Sequence, residues 1–366
     1  MDCEHFPRGY FSFFCFSGLF HFFPKAFLFS SHGVSWRQKE GSAMLYLNKQ
    51  DIIRSITPQE MMEAIEKAYG LFTAGNYFMP DRPTVEYQNK TIVYMPCFAD
   101  GAMGQKILTV FPENTQRGLP AIDGLMLLCD YDTGIPQVMM DGKALTALRT
   151  GGVGGVAVRH LSPADAHTLA VIGAGVQGAN QAAFACAARP IGHIYVYDAY
   201  AKDPAPFIHR LEEVLGNNHP PVTFCASSEE AARQSQILIT ATTSNEPVFP
   251  DDSTLFAGKC CIGVGSYKPT MREYPPCLWS LLSQVYVDLP FACEESGDLS
   301  QPLHEGLLTM DQVTTMGQLL AGQATKPKEG ETAFFKTVGM ALFDLIAAQA
   351  IAQKAMEKGI GQKIQL

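Results

Sequence analysis

Residues 168–198 restrict the fold of this chain more than any other stretch. They read T-L-A-V-I, then G-A-G-V-Q-G, then an Ala-rich segment, then H-I-Y-V-Y-D. Thr168 to Ile172 has the composition of a short buried strand. Gly173, Gly175 and Gly178 follow directly in G-x-G-x-x-G spacing. Asn180 to Ala188 fits a helix, Ile194 to Tyr197 a second strand, and Asp198 closes that strand. The order has a physical reason. Gly173 permits a tight turn, Gly175 lets the backbone approach a pyrophosphate, and Gly178 allows close helix–strand packing. The helix N-terminus offers unpaired N–H groups to phosphate, and an acid after the second strand can accept from a ribose. Strand, glycines, helix, strand and acid together predict a dinucleotide site on Gly173, Ala174, Gly175, Val176, Gln177, Gly178 and Asp198. A carboxylate at 198 favours NAD over NADP, although Lys202 downstream leaves NADP open.

A chain of 366 residues suggests two domains. Hydrophobic residues make up 47%, enough for a sizeable core, and the formal charge of −9 without a basic block argues against a nucleic-acid partner. Ten cysteines are scattered with no C-x-x-C and no zinc spacing, so no metal is expected and the thiols read as reduced, in a cytoplasmic protein.

The first 43 residues stand apart. Phe6 to Phe29 holds ten phenylalanines, but its longest charge-free run, Gly9 to Pro24, falls short of the roughly 20 residues of a membrane span. Asp2 and Glu4 replace the basic start of a signal peptide. Lys39-Glu40-Gly41 can be encoded by a purine-rich ribosome-binding sequence ahead of Met44. Residues 1–43 are therefore expected to be translated leader, with no membrane partner.

From Met44 the pattern is that of a globular chain. Thr57-Pro58-Gln59-Glu60 is a capping box that opens a helix to about Ala74. Strands are expected at 84–87, 91–95, 105–111, 125–130 and 136–140, an antiparallel or mixed sheet. Asp141 can cap a helix that contains Gly151, Gly152, Gly154 and Gly155. Glycines there cost roughly 1 kcal/mol each against Ala, so something must approach that helix closely. Alternating units then begin, with strands at 168–172, 193–197, 222–225, 236–240, 260–264 and 284–288, a parallel doubly wound sheet. Thr332 to Gln353 reads as one apolar helix that returns to the first domain. The fold class is α/β: a Rossmann sheet over 151–324 and a strand-rich α+β substrate and dimerisation domain from 44–150 with 325–366.

Four further segments carry candidate chemistry: Asp81-Arg82-Pro83, Gly104-Gln105-Lys106, Ala147-Leu148-Arg149-Thr150 and Val264-Gly265-Ser266-Tyr267-Lys268-Pro269. Taken singly, an arginine in such a segment reads as a surface salt bridge. Lys106 does not, because an ammonium in an apolar strand needs a partner. Together with G-Q-K-I-L-T-V-F-P-E-N at 104–114, A-L-R-T-G-G at 147–152, E-S-G-D-L at 295–299 and F-K-T-V-G-M-A-L-F-D at 335–344, they resemble the ornithine cyclodeaminase/mu-crystallin family from about Met44 to Lys358.

The resemblance implies a nicotinamide cofactor, an imino or amino acid substrate and a homodimer. It implies a carboxylate clamp of Arg82, Lys106 and Arg149, with Lys106 catalytic. It places cofactor contacts at Thr150, the 173–178 turn, Asp198, Thr240, Ala241, Thr242, Val264 and Gly265. Cyclodeaminases of the family carry a catalytic aspartate after that last glycine, and this chain has Ser266. The ketimine reductase and mu-crystallin branch is similar there. The implied activity is an NAD(P)-dependent oxidoreductase acting on a cyclic ketimine or an amino acid, the cofactor doing the redox chemistry. The alternatives are ornithine cyclodeamination to proline and ammonia with bound NAD, using another carboxylate such as Asp123 or Asp344, and a non-enzymatic binding protein. Met79, Tyr94 and Tyr267 are expected as pocket walls.

Overall fold

The computed structural model describes residues 43–201 and 203–365; the expected leader, apart from Ala43, and Lys202 lie outside them. β1 (Met44–Leu47) leads into α1 (Lys49–Ser55) and α2 (Pro58–Ala74). Thr57 caps α2: its side chain accepts from the Glu60 N–H, and the Glu60 carboxylate accepts from the Thr57 N–H at 2.9 Å. Strands β2 (Tyr77–Phe78), β3 (Thr84–Tyr87), β4 (Lys90–Ala99), β5 (Ala102–Val110), β6 (Ile122–Cys129) and β7 (Pro136–Asp141) follow with no α-helix between them. β3 has the expected bounds, β4 to β7 overlap the expected strands and start or end beyond them, and β2 is additional.

Asp141 accepts from the N–H groups of Lys143 and Ala144 and opens α3 (Gly142–Leu161). This helix runs unbroken through its glycines, and the approaching group is protein. A Cβ on Gly151 would strike Phe184, one on Gly152 Met61, and one on Gly155 the Met62 sulfur. The glycines let α2 and α4 (Val176–Ala188) lie against α3. The alternating part runs β8 (Thr168–Ile172), α4, β9 (His193–Tyr197), α5 (Ala205–Leu215), β10 (Val222–Phe224), α6 (Ser228–Arg233), β11 (Ile237–Thr240) and β12 (Cys260–Gly263). It continues through β13 (Val285–Val287), α7 (Ala292–Glu295), α8 (Gly297–Glu305), β14 (Val313–Thr315), α9 (Met316–Leu320) and β15 (Ala333–Lys336). α10 (Ala341–Glu357) and β16 (Gln362–Ile364) complete the chain.

Two eight-stranded sheets result among the described residues, an α/β architecture. The first has the order β16-β1-β7-β6-β5-β4-β2 with β3 also on β4, and every pairing is antiparallel except β1 with β7. The second, β10-β9-β8-β11-β12-β15-β13-β14, is parallel throughout. Its inner strands β8, β11, β12, β13 and β15 are buried on both faces. Leu169 and Val171 of β8 join one core with α2, α3 and α10, while Ala170 and Ile172 join another with Trp279 and Phe334.

The helix expected from Thr332 is a correction. Ala333–Lys336 is a strand between β12 and β13, and the helix begins only at Ala341. A short apolar run cannot be told from a buried helical turn by periodicity alone. Gly339, at φ 74°, separates the two elements. The parallel sheet thus extends past the expected boundary at 324, and the boundary expected after Thr150 falls inside α3. No helix among the described residues is long and apolar enough to cross a membrane.

Candidate functional site

β8 lies between β9 and β11, and the connection after β8 runs toward β9 while the connection after β11 runs toward β12, so the two leave to opposite sides. Open parallel sheets bind ligands in the crevice that forms at such a point, outside the strands' C-terminal ends. Gly173 sits there at φ 105°, its N–H donating to the Tyr197 carbonyl (2.9 Å). The Ala241 carbonyl would lie 2.6 Å from a Cβ on Gly173. The Gly173 carbonyl fills the same space at Gly178, and the Thr242 backbone does so at Gly265. Gly175 differs: it is exposed, and nothing lies within 4 Å of a Cβ built on it. It starts α4 without a side-chain cap. This open glycine at a helix N-terminus, with Ala174, Val176 and Gln177 beside it, suits a pyrophosphate.

Asp198 splints the turn. One oxygen accepts from the Ala174 N–H (2.7 Å), the other from the N–H groups of Tyr200 and Ala201 (2.8 Å each). The Thr240 carbonyl accepts from the Val264 N–H (2.9 Å). Thr150, buried on α3, accepts at its carbonyl from Gln181 (2.8 Å).

Beside this edge lies a cluster of opposite character. Lys106, on the helix-covered face of the first sheet, is only 1% exposed. Its Nζ donates to Asp344 Oδ2 (2.6 Å) and to Thr146 Oγ1 (3.2 Å). Arg149 Nε donates to the other Asp344 oxygen (2.9 Å). Arg82 donates to Glu295 (3.2 Å) and to the Gly339 carbonyl. Arg149 Nη1 would lie 2.6 Å from a Cβ on Gly339, so both arginines meet at this residue. Arg82, Lys106 and Arg149, expected together, do converge, and the Nη atoms of Arg149 carry no carboxylate among the described residues.

The electrostatics follow from burial. Desolvation lowers the Lys106 ammonium to about 8; Asp344 opposes the shift, and Arg149 and Arg82 reinforce it. Burial would raise Asp344, but Arg149 and Lys106 overcome it and hold the carboxyl below its usual range. Asp344 is thus a fixed anion with both oxygens engaged, a poor base. Asp123 is exposed and pairs with Lys143 (2.9 Å). Ser266 is fully buried, donating to the Met271 carbonyl (2.7 Å) and bonded to Ser296 Oγ (2.8 Å). No side chain that could serve as the cyclodeaminase base stands at that position.

Sequence reasoning weighed Asp344 only as a base and did not see it as the common anion of two cations. It missed Asp288, which accepts from Thr337 Oγ1 (2.7 Å) and from the N–H groups of Val338 (2.9 Å) and Gly339 (2.6 Å), shaping the loop under both arginines. An acid in an otherwise apolar helix was the available signal for Asp344.

The profile of the ornithine cyclodeaminase/mu-crystallin family matches residues 43–359. The chain belongs to this family. Among curated family members, a Delta(1)-pyrroline-2-carboxylate reductase of Bacillus cereus is 32% identical over 329 residues, which is 88% of this chain and 100% of the relative. The structure of the Thermococcus litoralis Delta(1)-pyrroline-2-carboxylate reductase in complex with NADH and L-proline superposes with a TM-score of 0.79 at 32% identity, covering 88% of this chain and 100% of that one. An archaeal alanine dehydrogenase dimer with bound NAD superposes at 0.77 with 25% identity, covering 88% and 99%. The two sheets of the present chain are thus the family fold, and the Gly173 turn and the cation cluster lie within the matched region.

Proposed function

We propose that the protein reduces a small cyclic imino acid, a pyrroline- or piperideine-2-carboxylate, to the cyclic amino acid. It is an NAD-dependent oxidoreductase, as its relatives are. The observation that carries the substrate assignment is the meeting of Arg82, Arg149 and Lys106 around Gly339 and Asp344. The free fork of Arg149 suits a carboxylate, and an arginine beside it adds a second set of donors. When bound, NADH supplies the hydride. The chain's residues hold the substrate carboxylate so that its alpha carbon faces the nicotinamide. Lys106 can give a proton to the imine nitrogen, so that C=N gains hydride at carbon and proton at nitrogen. Asp344 and Thr146 take two of its three donors and aim the third. The Gly173 turn, Asp198, Thr150 and the loops through Thr240, Ala241, Thr242, Val264 and Gly265 fit the cofactor.

The assembly we infer is a homodimer through the first sheet. Helices α1, α3 and α10 cover one face of it. On the other face, cross-strand rows Tyr94-Ile107-Leu125 and Phe98-Met103-Cys129 are half-exposed and mostly apolar. The free cysteines suit a reducing, cytoplasmic compartment. NADH oxidation followed by absorbance over cyclic imines, with alanine and ornithine run with NAD, tests the reading. Turnover of the imines alone supports it. Ornithine conversion without net cofactor change would overturn it.

A further inference from the structure

A second buried ionic cluster lies behind the cleft, and the chemistry above does not use it. Glu273, on the loop after β12, is fully buried. Its Oε1 accepts from the Thr242 N–H (2.7 Å) and the Thr242 hydroxyl (2.8 Å). Its Oε2 accepts from the N–H groups of Gly265 (2.8 Å) and Ser266 (3.1 Å). One carboxylate therefore joins the loop after β11 to the loop after β12, both at the C-terminal edge beside Gly173. Gly265 can come this close because it has no Cβ, which would lie 2.6 Å from Glu273 Oε1. On its far side Glu273 faces Lys336 (4.0 Å), which also pairs with Asp298 (3.2 Å), and Asp298 accepts from the Glu273 N–H (2.6 Å). Lys336 ends β15, three residues before Gly339, where Arg82 and Arg149 meet. The cluster thus spans the two loops and the root of the clamp.

We infer that Glu273 is a positioning residue that holds the two cofactor-facing loops to one another. The inference rests on the cofactor assignment of the proposed function. A folded protein seldom buries a carboxylate unless its lone pairs are satisfied, and here three of the four donors are backbone amides of those loops. A neutral amide of the same size has one acceptor oxygen and one donor nitrogen. Glu273→Gln therefore turns the nitrogen against an N–H on one loop and releases it.

The test is NADH binding to the full chain, followed by cofactor fluorescence without substrate, beside steady-state kinetics and a thermal melt. E273Q should weaken NADH binding roughly 10- to 100-fold, the scale of one lost hydrogen bond to a charged group. The imino acid KM at saturating NADH should stay near wild type. General loosening of the fold would move both constants. If E273Q fails to fold, Thr242→Val, which removes only the hydroxyl donor, decides; a several-fold weaker NADH affinity is expected. A folded E273Q, or failing that a folded T242V, that binds NADH as wild type does overturns the inference. Wild-type protein that takes up no NADH overturns the proposed function as well.

Discussion

The glycine turn and the cation cluster meet the same C-terminal edge of the parallel sheet and are made of different material. At Gly173, Gly178 and Gly265 the site consists of backbone, and side chains are absent because carbonyls occupy their space. At Lys106, Arg149 and Asp344 it consists of charged side chains from a strand and two helices, buried, with two cations on one shared anion. The first kind of site is held by local chain geometry. The second is held by contacts across 238 and 195 residues of sequence, and depends on every partner being present.

The largest expected effect falls on the side-chain half. Lys106→Met should cut kcat/KM for imine reduction by roughly 10²–10⁴, the range for removing a general acid, with NADH affinity unchanged. Reduction needs the ammonium, so wild-type kcat/KM should fall as pH rises through about 8. The methionine variant should lose that limb, and a pH–rate profile checks both. If NADH binding falls in parallel, the two halves are not separable.

Asp344→Asn leaves two buried cations without their anion and should cost about 3–5 kcal/mol in urea unfolding. Combining it with Lys106→Met should recover part of that loss. The folded carboxyl is held below 3.8, so its contribution is present above that value and is lost as pH falls through the folded one.

The glycines give a finer contrast. Gly178→Ala drives a methyl into the Gly173 carbonyl and should lose roughly 1–3 kcal/mol of stability. Gly175 has φ −74° and open space in front, so Gly175→Ala should melt like wild type yet bind NADH more weakly. Equal damage from both would mean that Gly175 faces no ligand. Smallest of all, Asp123→Asn breaks an exposed pair with Lys143 worth about 0–1 kcal/mol and should leave turnover unchanged; a marked loss would restore Asp123 as a catalytic candidate.

The same division explains what the sequence discloses. The turn at 173–178 is legible because its requirements are simple: Gly178 answers to Gly173, Gly173 to the adjoining strand end at Ala241, and Gly175 to open space. Lys106 is legible as an ammonium out of place in an apolar strand, and Asp141 and Thr57 as caps. Asp344 is obscured because Ala333–Lys336 and Ala341–Glu357 run together as one apolar stretch, which hides both the strand and the acid's place on the first turn of α10. Glu273, Asp288 and Asp298 gain their meaning from amides and a lysine that only the tertiary fold brings near.

α3 has a mechanical consequence. Arg149 and the glycines at 151, 152 and 155 ride on one uninterrupted rod, and those glycines seat the rod against α2 and α4 with no side chain of its own between them. The offset between Arg149 and the Gly173 turn is therefore gauged by close helix contact, in which Phe184, Met61 and Met62 press directly on bare main chain. Residues lining the mouth of the cleft can be exchanged without resetting that gauge, so the protein can change which imino acid it admits while the point of hydride delivery stays fixed.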